Sequence, residues 1–243
     1  MQIEVEGIVM RRTKYGEGSL IADLLTPNHD IITIITSGLS SKKGQHKSAL
    51  LQLGCPVQCV IYYKDNRSMH RLKEISATYH QEQIPFSLVK GTILLFIIEL
   101  MRNAIGKRGS DFTHYEFLLR EIKTLDQADS PLTYFPLAFS IKLSQLLGFG
   151  PNLNTFNSGS YFDLQNGVFS ASIPNHPNYL SEAYSNIFNK MCMQIESDDD
   201  MDISIAKKDR RYLLDQMMHY YTYHIERFRI PNAKEILTTV FNN

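Results

Sequence analysis

Three cysteines, eight histidines and a run of four aspartates are the side chains of this chain best suited to metal or nucleophile chemistry. Their spacing argues against most of it. Cys55 and Cys59 are four positions apart, which on a strand means one face but about 13 Å of separation, too far to share a metal ion. Both read as buried structural residues, as does Cys192 between Met191 and Met193. His219 and His224 share a helical stretch but are turned about 140° from one another around its axis, so they make no i, i+4 ligand pair. His176, between Pro174 and Pro177, reads as a turn residue with a structural hydrogen bond. The aspartate run, Asp198, Asp199, Asp200 and Asp202, lacks the glycine and closing glutamate of a calcium loop and reads as a solvated linker ahead of a helix. Gly16 and Gly18 form a turn between strands with no helix to receive a phosphate, and no G-x-S-x-G or P-loop context occurs. The expectation is a binding protein without metal or cofactor.

Binding chemistry is better represented. Arg11, Arg12 and Lys14, followed by Tyr15, form one basic cluster, expected at the first turn; Lys42, Lys43 and Lys47 form a second in a longer connection. Arg71 and Lys73, in the fifth β-type run, complete the candidate set. Clustered cations concentrate the field. With exposed aromatics such as Tyr15, Tyr62 or Tyr63, a basic groove can track a phosphate backbone while bases stack, and such binding weakens steeply with salt. Solvated surface lysines are the bland alternative.

The elements that would position these residues differ along the chain. Five short runs rich in β-branched and aromatic residues, at 3–10, 19–25, 31–36, 56–63 and 71–79, are separated by turn signals, and only the third connection, 37–53, is long, with a helical turn expected at 48–53. That order fits an OB-type barrel, although small SH3-like barrels also use five strands. From about residue 85 the apolar period becomes helical, at 86–105, 112–125 and 132–147, the last closed by Gly148-Phe149-Gly150-Pro151. Asn166-Gly167 marks a small hairpin at 161–169. Helices are expected at 179–193, 210–228 and 233–241. The expected fold is therefore α+β: an OB-fold barrel at 1–80, then an α-helical bundle at 81–243 with an inserted β-hairpin.

Composition sets the outer bounds. The 243 residues are 43% hydrophobic, enough to fill a core, and 25 Lys plus Arg balance 25 Asp plus Glu. Neutrality excludes a uniformly basic coat, yet residues 1–80 hold ten cations against seven anions, a net of +3, leaving −3 on the rest. Few cysteines and an acidic start at Glu4 and Glu6 point to a reducing cytoplasm, and the apolar stretch 92–101 is about half of what a bilayer of roughly 30 Å needs.

Three separated segments resemble one family. Gly7-Ile-Val-Met-Arg-Arg-Thr-Lys-Tyr-Gly-Glu17, continuing through Leu20-Ile21 to Leu24-Leu-Thr26, Gly38 and Lys42-Lys43, is similar to the amino-terminal segment of the bacterial RecO recombination mediators. Phe139-Ser-Ile-Lys-Leu-Ser-Gln-Leu-Leu-Gly-Phe-Gly-Pro151 with Tyr161-Phe-Asp-Leu164 and Gly167 is similar to a helix and turn of that family. The closing stretch 221–228 with Ala233-Lys-Glu-Ile-Leu237 matches too, Ala233 standing where the family usually has serine.

The resemblance implies an OB fold, a helical bundle and no catalytic turnover. It implies binding of single- and double-stranded DNA, annealing of complementary strands, and work with RecR, the single-stranded-DNA-binding protein SSB and RecF in loading RecA. It implies a nucleoid-associated location, and an SSB-tail docking groove, apolar with a basic rim, in the helical domain. Many members bind zinc through four cysteines after the G-(aromatic)-G-P turn; residues 152–172 contain none, so no zinc is expected and the 161–169 hairpin and its aromatics should carry that stabilising role. The rivals are an adaptor that binds no DNA and a metal-dependent hydrolase using the 198–202 aspartates with histidines.

Overall fold

A computed structural model describes residues 1–38, 41–106, 111–129, 132–197 and 204–241. The 198–202 aspartates and the side chain of Lys43 lie outside the described residues. The chain forms two compact units, Met1–Ser130 and Pro131–Asn243.

In the first unit, β1 (Gln2–Tyr15), β2 (Ser19–Leu25), β3 (Ile32–Ser37), β4 (Pro56–Tyr62) and β5 (His70–Ala77) close into a barrel of order β1-β2-β3-β5-β4. Neighbours are antiparallel except β3 and β5, where Ile34 and Ile35 pair in parallel with His70 and Arg71. This is the OB order. Alternation drives it: on β2, Leu20, Ala22 and Leu24 point into a core shared with Val5, Val9, Ile34, Val57, Ile61 and Leu72, while Ile21 and Asp23 are only half-buried. β1 serves two neighbours, pairing with β4 through residues 2–8 and with β2 through residues 8–15, with a register shift between Val9 and Arg11. Gly7 permits the crossing, since a Cβ there would stand 3.0 Å from both Leu24 Cβ and Leu25 O.

Two expectations need correction. Arg11 to Tyr15 are strand residues, because β1 runs to the tip of its hairpin with β2 and the turn itself holds only Gly16, Glu17 and Gly18. The long connection holds a full helix, α1 (Lys42–Leu50), where a turn at 48–53 was expected. The Ser41 side chain caps it by accepting from Gly44 N at 3.1 Å, and its polar composition leaves no apolar stripe to read.

The unit continues past the barrel into α2 (Leu88–Ile105) and α3 (Phe112–Gln127). The last barrel strand ends at Ala77, and the compact units divide at 130/131, which keeps α2 and α3 with the barrel. Three features hold these helices. Gly54, at φ +73°, lets the chain pass against α2, where a Cβ would come within 2.7 Å of Leu94. Tyr115 Oη donates to Glu6 Oε1 at 2.8 Å. Asp126, 1% exposed, accepts from the backbone N–H groups of Glu82, Gln83 and Ile84 and from Tyr79 Oη, all at 2.8–2.9 Å. Beside it Lys90, 5% exposed, donates to Gln83 Oε1, Asp126 O and Ala128 O.

The second unit contains α4 (Phe135–Leu146), α5 (Glu182–Ser197), α6 (Lys207–His224) and α7 (Ala233–Val240), with a hairpin of β6 (Tyr161–Asp163) and β7 (Val168–Ser170) packed on α5 and α6. The helix expected to reach 228 ends at His224, where Ile225 turns extended, so Ile225 and Phe228 lie beyond it. Phe169, Phe188 and Tyr220 pack as tilted rings around Phe162 at the hairpin. Asp163 binds the turn as well: Oδ1 accepts from Gln165 N and Asn166 N, and Oδ2 from Asn166 Nδ2, with His176 Nε2 at 3.3 Å. That carboxylate is committed and residues 152–172 hold no cysteine or histidine, so the donor set does not fit the zinc of the cysteine-bearing relatives.

Candidate nucleic-acid interface

Because side chains alternate on a strand, one row of partners crosses the open barrel face: Thr13, Ile21, Ile35, Arg71 and Tyr62, successive partners on β1, β2, β3, β5 and β4. Thr13, Arg71 and Tyr62 are exposed and the two isoleucines half-buried. The adjacent row ends in Tyr15, 58% exposed, at the hairpin tip. Face and loops here are the ones through which OB folds take oligonucleotides, the strand 2–3 surface with the loops after strands 1 and 4.

The loop after β4 carries cations that the sequence clusters did not single out. Lys64 and Arg67 are exposed, and with Lys47, Tyr62, Arg71 and Lys73 they line one groove. The signal was available: in OB order the segment between the fourth and fifth strands is a binding loop, and two tyrosines enter it. Tyr63 lies stacked on His70, centroids 4.5 Å apart, and burial pushes the His70 pKa down, so the loop rests on an uncharged ring. Lys47 Nζ donates to Lys73 O at 2.6 Å, while Lys73 Nζ meets Gln2 Oε1 at 3.2 Å and Glu74 Oε1 at 3.1 Å.

The first basic cluster is divided by the strand that holds it. Arg11 Nε lies 2.7 Å from Asp23 Oδ2, an acid that also accepts from Thr33 Oγ1 at 2.8 Å. Arg12 and Lys14 alternate to the other side of β1, where Arg12 donates to Gln52 Oε1 at 2.5 Å and Ser48 Oγ at 2.8 Å on the α1 side. Neutral partners orient Arg12 without cancelling its charge. Lys42 is exposed at the start of α1.

In the second unit, Pro136, Leu137, Leu214, Leu237 and Phe241 line an apolar groove with Lys207 and Arg211 exposed at its rim. Arg210 joins that rim with its guanidinium 5.1 Å over the Tyr134 ring.

Comparison with known proteins decides the family. Residues 1–80 match the model described as Recombination protein O N terminal, and residues 85–233 the model described as Recombination protein O C terminal. The chain belongs to the RecO family. Similar proteins include the DNA repair protein RecO of Flavobacterium psychrophilum, 28% identical over 244 residues with both chains covered in full. That of Bacteroides fragilis is 28% identical over 239 residues, covering 97% of this chain and 98% of its own. That of Azobacteroides pseudotrichonymphae is 24% identical over 242 residues, again with both covered in full. The expected family, the OB-type barrel followed by helices, and a role in DNA repair and recombination hold. Among the described residues no helix is long and apolar enough to cross a membrane.

Proposed function

We propose that this RecO-family chain is a non-catalytic mediator of recombinational repair. It binds single- and double-stranded DNA through its barrel, anneals complementary strands, and with RecR and SSB helps to load RecA on gapped DNA. The observation that carries the DNA-binding part is the open-face row ending in Arg71 and Tyr62 beside Lys64 and Arg67. Isoleucines and tyrosines offer surfaces on which bases stack whatever their sequence, and the cations displace condensed counterions from the backbone. With two strands neutralised on one protein, mutual phosphate repulsion falls and base pairing supplies the specificity. Little sequence preference follows, since phosphate contacts carry no sequence information.

Of the residues singled out in the sequence, Arg12, Lys14, Tyr15, Lys42 and Arg71 keep the DNA-contacting role. Lys47 and Lys73 act through the groove they help shape, and Arg11 contributes less because Asp23 is beside it. The groove rimmed by Lys207 and Arg211 fits the SSB tail: its floor takes apolar side chains and its rim takes carboxylates. The test is annealing of two complementary oligonucleotides pre-coated with SSB. The chain should accelerate duplex formation, and Lys207→Glu combined with Arg211→Glu, both exposed at the rim, should remove the acceleration on SSB-coated strands while sparing it on bare ones. No acceleration on bare strands would end this reading.

A further inference from the structure

Phe86 is 89% exposed and Leu88 76% exposed, the largest exposures of apolar side chains among the described residues apart from Met1. They are not on a loose loop. Phe86 closes a 3-10 turn, Ile84–Phe86, with Pro85 at its start; Phe86 N donates to Gln83 O at 3.0 Å and Ser87 N to Ile84 O at 3.3 Å. The backbone leading in is clamped by the Asp126 carboxylate, which takes the N–H groups of residues 82, 83 and 84, and Lys90 grips Gln83 from the other side. Ser87 then caps α2 by accepting from Lys90 N at 3.3 Å. A buried acid and a buried lysine therefore hold rigid a turn whose outward product is a naked phenyl ring. With the apolar cleft they line, these two side chains form a contiguous exposed apolar surface, the kind that marks an interaction site.

The ring stands at the edge of an apolar cleft that includes Leu53, Cys55, Leu88 and Leu95, with Gln52 and Gln81 as its amide-bearing members. Gln52 connects the cleft to charge, because its Oε1 accepts from Arg12, the cation that β1 turns away from the open face. A cleft for bases thus opens beside an oriented guanidinium for phosphate, on the α1 side of the barrel.

The geometry points to a second single-stranded nucleic-acid subsite, in which a base stacks on Phe86 in the cleft while Arg12 holds a neighbouring phosphate. It rests on the nucleic-acid reading above and adds a place for a second strand. Continuity with Arg12 is what selects this occupant over a protein segment: the apolar wall alone would suit either, but a guanidinium held by neutral partners, one of them the lining residue Gln52, is a phosphate ligand. Annealing then has a structural basis, since one barrel can present two strands from different sides.

The chain has no tryptophan, so Phe86→Trp creates a single reporter. Oligo-dT of about ten nucleotides is titrated while binding is followed in parallel by anisotropy of a labelled copy. Stacking predicts quenching of the tryptophan emission that saturates only after about one equivalent has bound elsewhere. Phe86→Ala should weaken one of two oligonucleotide affinities about tenfold, about 1.4 kcal/mol, and leave the other and the melting temperature unchanged. Emission that stays constant while anisotropy reports binding overturns the subsite alone. No binding by anisotropy in the unaltered chain overturns the nucleic-acid reading with it. A blue shift on adding SSB or RecR with no response to oligo-dT would overturn the subsite and assign the cleft to protein.

Discussion

Arg11 and Asp23 face one another across the β1–β2 ladder, Arg11 Nε 2.7 Å from Asp23 Oδ2, with the acid 15% and the base 49% exposed. The pair divides the most basic stretch of the chain into one arginine with a counter-charge and one, Arg12, with neutral partners. Arg12→Ala should therefore reduce single-stranded DNA affinity more than Arg11→Ala. Asp23→Asn should raise affinity a few-fold and steepen the salt dependence by about one released ion, about 0.7 in log–log slope for a single strand. Anisotropy titrations at several salt concentrations read all three.

Lys64 and Arg67 extend from the loop after β4 with both side chains exposed. Replacing both by alanine should flatten the salt slope by about 1.4 and weaken binding about equally for all sequences. Melting should not shift by more than a degree or two, since exposed charges contribute little to stability.

Tyr62, 42% exposed, is the aromatic end of the open-face row. Tyr62→Phe should preserve affinity and Tyr62→Ala should lower it about tenfold, because the stacking face and not the hydroxyl is used. Equal loss in both variants would give the contact to the hydroxyl.

Asp126 and Asp163 govern acid stability. Burial works to raise each carboxyl pKa, but the hydrogen bonds outweigh it: Asp126 is held below the ordinary value by the Ile84, Glu82 and Gln83 N–H groups and Tyr79, and Asp163 by Asn166, Gln165 and His176. A depressed folded pKa contributes stability that is present above the unfolded value of about 3.9 and lost as pH falls through the folded one. His70 and His224, both lowered chiefly by burial, add an earlier loss that begins as pH falls below about 6.5. Urea midpoints should thus decline in two steps on acidification. Asp126→Asn should reduce only the lower step, and Asp126→Ala should cost about 3 kcal/mol or more at neutral pH by leaving buried N–H groups unpaired.

The hairpin near residue 163 is held by a carboxylate and aromatic rings. A chelator should leave the melting temperature unchanged, whereas Asp163→Ala should lower it measurably by scanning calorimetry. Loss of structure with chelator would place a metal where the donors described do not form a site.

Most of the barrel was legible because β2, β3 and β5 alternate buried with outward residues and its turns carry glycine or asparagine. The helices were legible from their period, and Asn166-Gly167 marked the hairpin. Harder to read was anything set by partners distant in sequence. The length of β1 depends on its hairpin with β2 and on close passage at Gly7, so Arg11 to Tyr15 looked like turn residues. The helix α1 has no apolar stripe, and only the Ser41 cap announces it. The candidate site was half visible. Lysines and arginines cluster in the sequence, but which of them Asp23 neutralises, and that Lys64 and Arg67 join Arg71, follow from strand register. Phe86 reads as the start of an apolar helix until Asp126, 40 positions away, is seen holding its turn outward.

The most direct test of the central claim is the affinity of the full chain for labelled single-stranded DNA from about 50 to 300 mM salt. With about five phosphates neutralised, the log–log slope should lie near −3.5, with affinity indifferent to sequence. Absence of binding at the lowest salt, or a slope near zero, would contradict it.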